Sequence, residues 1–321
     1  MAMEIAVYDP VSHYQSVMEL WKQTLGLSYP VTDRVARPRL WTRPSLEPGD
    51  GVVALEAGRV VGVAVAEISR DALTPQSGGS IELVMVCPSH QRRGVGRRLV
   101  SAIEERMRSA GCIESHVARG LYRFWSGTPL DLAGASEFFE ACGYTNTGEV
   151  IDMVAPLRDF RADPDREKTA RGMGGSIAPV KAEELGRAYE LLTREAPGWR
   201  EAFLKMAASG DLGNVLAVRR GRDFIGCVQT FTPESRFRYA NLAWEGLYGP
   251  ALGGLGAVLI AKAWRGRGLG LYMIEQSAAH VKSRGGSHVY IDWTSDGLAG
   301  FYAKIGAVVC RRFRKHMKKL S

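Results

Sequence analysis

No run of apolar residues in this 321-residue chain approaches the ~20 that a membrane-spanning helix requires. Residues 246–261, the longest uncharged stretch, hold five glycines and Pro250 and read as a buried strand with its approach loop. The five cysteines (Cys87, Cys112, Cys142, Cys227 and Cys310) form no CxxC pair and are odd in number. That excludes a disulfide frame or a zinc site built on such pairs and predicts reduced thiols. None of them stands beside a recognisable base. The six histidines show no ligand spacing, and no metal site is expected. Residues 1–10 carry Glu4 and Asp9 but no basic-then-apolar run. No secretion signal is expected there, and the cytoplasm is the expected compartment.

What the chain has in excess is positive charge, with a formal net charge of +8 and a pI near 9.3. Such a surplus attracts polyanions, whether nucleic acid, a membrane face or a phosphorylated cofactor. Part of it sits at Arg311, Arg312, Arg314, Lys315, Lys318 and Lys319, which read as a solvated basic end. No helix-turn-helix pattern and no interleaving of aromatic with basic residues accompanies the charge, so neither nucleic acid nor membrane is an expected partner. Hydrophobic content of 45% and charged content of 24% are those of a globular protein. The length suits two domains of about 150 residues each.

The two halves repeat one another. IELVMVCPSHQRRGVGRRLV, from Ile81 to Val100, matches LGAVLIAKAWRGRGLGLYMI, from Leu255 to Ile274. Each is an apolar run, a short polar turn, a glycine- and arginine-rich loop and then a helical pattern. Leu99, Ile103 and Met107 recur every four residues, and Leu271, Ile274, Ala278 and Val281 at three and four. Both sets form one apolar face of an amphipathic helix. Further on, SEFFEACGY from Ser136 matches GFYAKIGA from Gly300, each a short helix ended by glycine. Upstream, β-branched runs at 52–55 and 60–66 flank the Ala57-Gly58 turn, and runs at 215–218 and 224–230 flank Arg220-Gly221. Each half reads helix, strand, turn, strand, strand, loop, helix, strand, helix, strand. That is an α/β (α+β) fold with a mixed sheet and helices on both faces. Residues 159–176 are rich in charge and glycine, have no apolar period, and read as an exposed linker. The expected organisation is therefore a domain at 1–158, a linker at 159–176 and a domain at 177–321.

A strand leading into Gln91, Arg92, Arg93, Gly94, Val95 and Gly96, and then into a helix, presents free backbone N–H groups at a helix start. Glycine lets an anion approach the backbone, and the helix dipole adds to the attraction. The flanking arginines, Arg97 included, can pair with further phosphate oxygens. Arg265, Gly266, Arg267, Gly268, Leu269 and Gly270 repeat the arrangement with one more glycine. Neither copy has the Gly-Lys-Ser/Thr of a Walker loop. The third glycine of a dinucleotide fingerprint is replaced by Leu99 and by Leu271.

The run V-x-P-x-x-Q-R-R-G-V-G, from Val86 to Gly96, closely resembles motif A of the GNAT N-acetyltransferases, the loop that holds the pyrophosphate of coenzyme A. The second loop is similar to it, with Lys262 where the family often has proline. F-Y-x-x-x-G at Phe301, Tyr302 and Gly306 resembles the family's motif B. The likeness covers nearly the whole chain outside the linker. Segments 122–129 and 291–294 are similar to those of bacterial tandem GNAT proteins with relatives fused to amino-sugar hydrolases. The resemblance implies a GNAT fold in each half, with acetyl-CoA as cofactor and its diphosphate on the loops. It also implies direct transfer in a ternary complex. Backbone N–H groups of a splayed fourth strand then meet the thioester: Val84, Met85 and Val86 in the first half, Val258, Leu259 and Ile260 in the second.

Acetyl transfer to an amine needs a proton acceptor, donors for the oxyanion and a proton for the departing thiolate. The resemblance implies the donor role for the motif B tyrosine, Tyr302, whose counterpart in the first half is Phe139. Glu82 stands where some family members carry the accepting carboxylate. Its counterpart is Gly256, so the second half must borrow a base, use Asp292 or Glu245, or rely on solvent. The expected activity is an acetyl-CoA-dependent N-acetyltransferase for a small-molecule primary amine of amino-sugar-like class, acting as a monomer or homodimer. Two alternatives remain open: acetylation of a protein N-terminus or lysine, and a non-catalytic CoA-binding regulatory module. The aromatic segment 121–131, an insertion in the first half alone, either walls a substrate cleft or packs against the other domain.

Overall fold

The computed structural model describes residues 3–26, 28–42, 50–68 and 78–320. The chain divides into two compact units, Met1–Val150 with Arg311–Ser321, and Ile151–Cys310. The first unit opens with β1 (Glu4–Val7), α1 (Pro10–Thr24), α2 (Asp33–Leu40), β2 (Gly51–Glu56), β3 (Arg59–Ile68) and β4 (Gly78–Val86). It continues with α3 (Val95–Ser109), β5 (Glu114–Val117), β6 (Thr128–Pro129), α4 (Ala135–Ala141) and the start of β7 (Thr145–Pro156). The second unit takes the end of β7, then α5 (Pro164–Gly172), β8 (Gly175–Pro179), α6 (Leu185–Glu195), α7 (Arg200–Ala208) and β9 (Val215–Arg220). Its remaining elements are β10 (Asp223–Phe231), α8 (Glu245–Tyr248), β11 (Leu252–Ile260), α9 (Leu269–Ser283), β12 (His288–Thr294) and α10 (Asp296–Tyr302). The last strand, β13 (Val308–Lys319), begins in the second unit and gives its residues 311–319 to the first.

Within the first unit the strand order is β1-β2-β3-β4-β5-β13-β7, and within the second it is β7-β12-β11-β10-β9-β8. The pairs β4–β5 and β11–β12 are parallel, whereas β3–β4 and β10–β11 are antiparallel, so both sheets are mixed. Residues 61–66 of β3 are buried one after another rather than alternately, the mark of a strand covered on both faces. Helices α1 and α3 both pack on β3 and β4. Leu99, Ile103 and Met107 on α3, and Ile274, Ala278 and Val281 on α9, are fully buried, while Leu271 packs partly buried against the same core. No helix among the described residues is long and apolar enough to cross a membrane.

The structure departs from the sequence reading in four places. In each unit a short strand precedes the helix that was read as the first element, β1 before α1 and β8 before α6. These are short strands at sheet ends, and neither carries the β-branched run that marked the others. Segment 159–176, expected as an exposed linker, holds α5 and belongs to the second unit. Asp163 caps that helix by accepting from the Asp165 N–H at 3.0 Å, and Pro164 occupies its first turn. Arg166 then reaches both carboxylate oxygens of the buried Glu275 on α9 at 3.0 Å. The helix is docked through that ion pair and needs no apolar stripe. The unit boundary accordingly falls at residues 150–151.

The basic run 311–319 is also no solvated end. Phe313 and His316 are buried, and Met317–Lys319 pair with Glu114–His116 of β5. Lys318 Nζ lies 2.8 Å from both oxygens of Glu104 on α3, and Arg314 reaches Glu149 at 3.2 Å. The cations of the run are thus partly neutralised within their own unit. Segment 121–131 likewise packs inside the first unit. Trp125 stacks on Trp21 at 5.4 Å and meets Tyr29 edge-on, while Phe124 lies 4.8 Å from Trp21. The Arg39 Nε–H donates to the Arg123 carbonyl beneath them.

Candidate functional site

Each unit contains a place where two parallel strands part. The β4–β5 ladder ends at Ile81 and Val117, and the β11–β12 ladder at Leu255 and Ile291. Beyond those pairs β4 and β11 run on with one edge unpaired by a parallel neighbour. An irregularity marks each: the β3–β4 register shifts at Glu82, and the β10–β11 register shifts at Ala257-Val258, where Ala257 takes φ 49°. The Cys87 N–H donates to Val61 on β3 at 2.8 Å, and the Ala261 N–H to Ile225 on β10 at 2.8 Å. Alternation along a strand then turns the amide groups of Val84 and Val86, and of Val258 and Ile260, toward the open edge. Met85 and Leu259 present theirs to the antiparallel neighbour instead. The six strand residues singled out in the sequence thus divide four to two.

Both glycine-arginine loops follow directly. Gly94 and Gly268 are the N-caps of α3 and α9, with φ 81° and 78°, and no side chain caps either helix. The first intrahelical bonds close from Arg98 to Gly94 (3.1 Å) and from Tyr272 to Gly268 (3.2 Å). The N–H groups of Val95, Gly96 and Arg97, and of Leu269, Gly270 and Leu271, precede those closures and have no partner within their helices. A Cβ at Gly94, Gly266 or Gly268 would meet nothing within 4 Å, so open space adjoins the loop backbone at those three positions. Gln91 and Arg265 serve the loops rather than the approach. The Gln91 amide donates to Val86 O at 3.0 Å, and Arg265 Nε to Ile260 O at 2.9 Å. Each ties the loop back to the end of its strand. Arg92, Arg93, Arg97 and Arg267 are exposed around the loops, and Arg267 stacks 4.9 Å from the Trp264 ring. A cavity of about 260 Å³ lies beside the second loop, lined by Arg267, Gly268 and Tyr272 together with Arg166 and Thr169 of α5.

The short helices α4 and α10 close on the loops through equivalent rings. A Cβ on Gly96 would stand 2.9 Å from Phe138, and one on Gly270 would stand 3.5 Å from Phe301. The next residue in each case is the motif B position. Tyr302 is 6% exposed, and no hydrogen bond to its hydroxyl occurs among the described residues. Burial, with Asp292 adding to it, pushes its pKa up to about 12, so the phenol keeps its proton. Phe139 fills that place in the first unit, packed against Tyr144 at 5.5 Å and the buried His316 at 5.9 Å.

The open edges are crossed by different groups. In the first unit Glu82 is buried and its Oε1 accepts from the Gly120 N–H at 2.8 Å. Glu67 accepts from Leu121 and Tyr122 at 2.9 and 3.0 Å. Together the two carboxylates strap segment 120–122 to β3 and β4. In the second unit Gly256 replaces Glu82, and a fully buried amide enters from the connection before β11. Asn241 Nδ2 donates to Leu255 O on β11 at 2.8 Å and to Tyr290 O on β12 at 3.2 Å. It spans the two strands at the point where they separate. Gly254 and Gly256 make room for it, since a Cβ on Gly254 would lie 2.4 Å from the Asn241 Cβ. Glu245 is engaged in a buried ion pair with Arg238, whereas Asp292 is half-buried on β12. Sequence reasoning missed Asn241 and Glu67. The one available signal for Asn241 was the Gly253-Gly254 pair inside an otherwise apolar strand.

The chain matches the acetyltransferase (GNAT) family twice, over residues 14–144 and 183–307. It is 25% identical to mycothiol acetyltransferase from Thermomonospora curvata, across 94% of this chain and 88% of that one. Among solved structures it resembles the GCN5-related glucosamine N-acetyltransferase region of a fungal multi-domain GH3 β-N-acetylglucosaminidase, with a TM-score of 0.91 at 23% identity. That match covers 99% of this chain and 38% of the fungal one. A GCN5-related N-acetyltransferase from Sphaerobacter thermophilus gives a TM-score of 0.72 at 17% identity, covering 99% and 96% of the two chains.

Proposed function

Because this chain belongs to the acetyltransferase (GNAT) family, we propose that it transfers acetyl from acetyl-CoA to a small-molecule primary amine of amino-sugar class, with the chemistry in the second unit. The observation that carries this reading is the co-occurrence in that unit of three features. They are an uncapped helix start at Gly268, open-edge amides at Val258 and Ile260, and a protonated phenol at Tyr302. The donors fit a phosphorylated thioester: the first-turn N–H groups at 269–271 suit a diphosphate, and the strand amides suit the arm and the thioester oxygen. Acetyl-CoA supplies the activated acyl group. Val258 and Ile260 orient its carbonyl and stabilise the charge that develops on oxygen. With acetyl-CoA bound there, the Tyr302 hydroxyl would give its proton to the departing sulfur as the C–N bond forms and the C–S bond breaks, and would recover it from solvent. The amine proton leaves to solvent or to Asp292. Glu82, strapped to Gly120, has a structural part in this account, and the first loop is a second site for the cofactor.

The acceptor class draws on the relatives, which include a glucosamine N-acetyltransferase region and a mycothiol acetyltransferase. Thioester consumption over a panel of amines tests it. Glucosamine and related amino sugars should be acetylated, and peptides offering an N-terminus or a lysine should not. Acetyl-CoA binding by calorimetry with no consumption on any amine would make the chain a binding module instead.

A further inference from the structure

Cys87, Ser89 and His90 follow β4, and Glu56 ends β2; together they form one connected cluster. Cys87 Sγ lies 3.3 Å from Ser89 Oγ, Ser89 Oγ lies 2.9 Å from His90 Nδ1, and His90 Nε2 lies 2.9 Å from Glu56 Oε2. The sequence reading found no cysteine beside a base. It missed this one because the base acts through Ser89 and its carboxylate arrives from another strand.

The connectivity fixes the direction of proton flow. With Nε2–H donating to Glu56, Nδ1 accepts from the Ser89 hydroxyl, whose oxygen in turn accepts from the Cys87 thiol. A proton leaving sulfur passes to Ser89 while Ser89 passes its own to Nδ1. The products are a thiolate and an imidazolium held by Glu56. The same contacts act on the ionisation of each group. Glu56 first, and Cys87 next, raise the pKa of His90, while Ser89 first, and His90 after it, lower that of Cys87. Arg93 is the other side chain acting on Glu56, and it favours the carboxylate. Ser89 is exposed and Cys87 half-buried, so the sulfur is within reach of a small molecule.

The second unit shows that the fold does not need this relay. Its equivalent turn carries Ala261, Ala263 and Trp264 in place of Cys87, Ser89 and His90, and Arg220 in place of Glu56. The Arg220 guanidinium lies 5.0 Å from the Trp264 ring, so turn and hairpin remain joined there by a contact that contains neither thiol nor imidazole.

We propose that Cys87 is a reactive thiol, activated through Ser89 by His90 and Glu56, that exchanges with low-molecular-weight disulfides. The thiolate attacks one sulfur of R–S–S–R, the Cys87–S–S–R bond forms, and the original S–S bond breaks. The electron pair leaves with RS⁻, which takes a proton from the imidazolium or from water.

Dithiobis(nitrobenzoic acid) is the probe, applied at pH 7 to the full chain, with labelled sites assigned by mass spectrometry. Cys87 should react first, about fivefold or more faster than the half-buried Cys142, whose pKa is raised by burial. A free thiol with pKa near 8.5 is only a few per cent ionised at pH 7, and lower-pKa thiolates are weaker nucleophiles, so the gain stays under roughly thirtyfold. Cys87→Ser should abolish the fast phase. His90→Gln and Glu56→Gln should each move the midpoint of the rate–pH curve upward. The double change Glu56→Arg with His90→Trp transplants the second unit's pair and should leave a folded protein with a slow Cys87. A fast phase that survives Cys87→Ser, or a midpoint unmoved by both single changes, overturns the proposal.

Discussion

In the first unit the gap beyond Ile81 and Val117 is crossed by two carboxylates, Glu82 and Glu67, which hold the backbone N–H groups of residues 120–122. In the second the gap beyond Leu255 and Ile291 is bridged by an amide, Asn241, which holds the carbonyls of both strands. The first arrangement stitches a loop across the edge. The second ties the two strands together, with the Asn241 side chain occupying the room left at Gly254 and Gly256. The motif B position differs in the same sense: Phe139 packs with His316, whereas Tyr302 keeps an uncommitted, protonated hydroxyl. Two copies of one architecture thus differ at this place, one carrying packed rings and the other a buried, protonated phenol.

That contrast breaks most visibly at Asn241. Asn241→Leu leaves the buried Leu255 and Tyr290 carbonyls without their side-chain donor. Each lost partner costs about 1–3 kcal/mol, so urea denaturation should show a loss of roughly 3 kcal/mol. Glu67→Gln keeps one acceptor oxygen for the loop and should cost only about 1 kcal/mol. Equal losses for the two would erase the distinction between a bridge and a strap.

The loops sharpen the comparison on a smaller scale. Gly96→Ala forces a Cβ to within 2.9 Å of Phe138, whereas Gly270→Ala has 3.5 Å to Phe301. Alanine is otherwise preferred to glycine in a helix by about 0.5–1 kcal/mol. Thermal denaturation should find Gly270→Ala neutral or slightly stabilising and Gly96→Ala about 1 kcal/mol worse than it. The opposite order would mean that α4 and α10 do not close on the loops in the way described.

Much of this was legible in the sequence because it repeats. The paired loops and the helical stripes on α3 and α9 show as local patterns at fixed spacing, and the segments from Ser136 and from Gly300 match as a pair. The structure orders them as expected. Three features were not legible, each because a distant contact replaced a local signal. Helix α5 has no apolar stripe and docks through Arg166 on Glu275. The basic run 311–319 reads as a solvated end, yet Phe313 and His316 face a core and Lys318 finds Glu104. Asn241 sits 14 residues before Leu255 but 49 before Tyr290, and nothing at its own position announces the bridge between them. The division of backbone amides between open and paired edges depends on register. Register follows from hydrogen bonding rather than composition, so Met85 and Leu259 could not be separated from their neighbours beforehand.

The central claim is that the second unit does the chemistry, and it rests on one hydroxyl. Tyr302→Phe keeps the ring and its packing, and Glu82→Gln keeps the volume of the other candidate. Steady-state kcat should be measured for both variants, with acetyl-CoA affinity followed by calorimetry. The account predicts that Tyr302→Phe loses ~10²-fold in kcat, about 3 kcal/mol, with cofactor affinity unchanged, and that Glu82→Gln stays within about threefold of the parent. The parent rate should show no loss from Tyr302 ionisation until pH approaches 12, because the raised pKa keeps the donor protonated below it. A large loss for Glu82→Gln with Tyr302→Phe unaffected would contradict the account and place the reaction in the first unit.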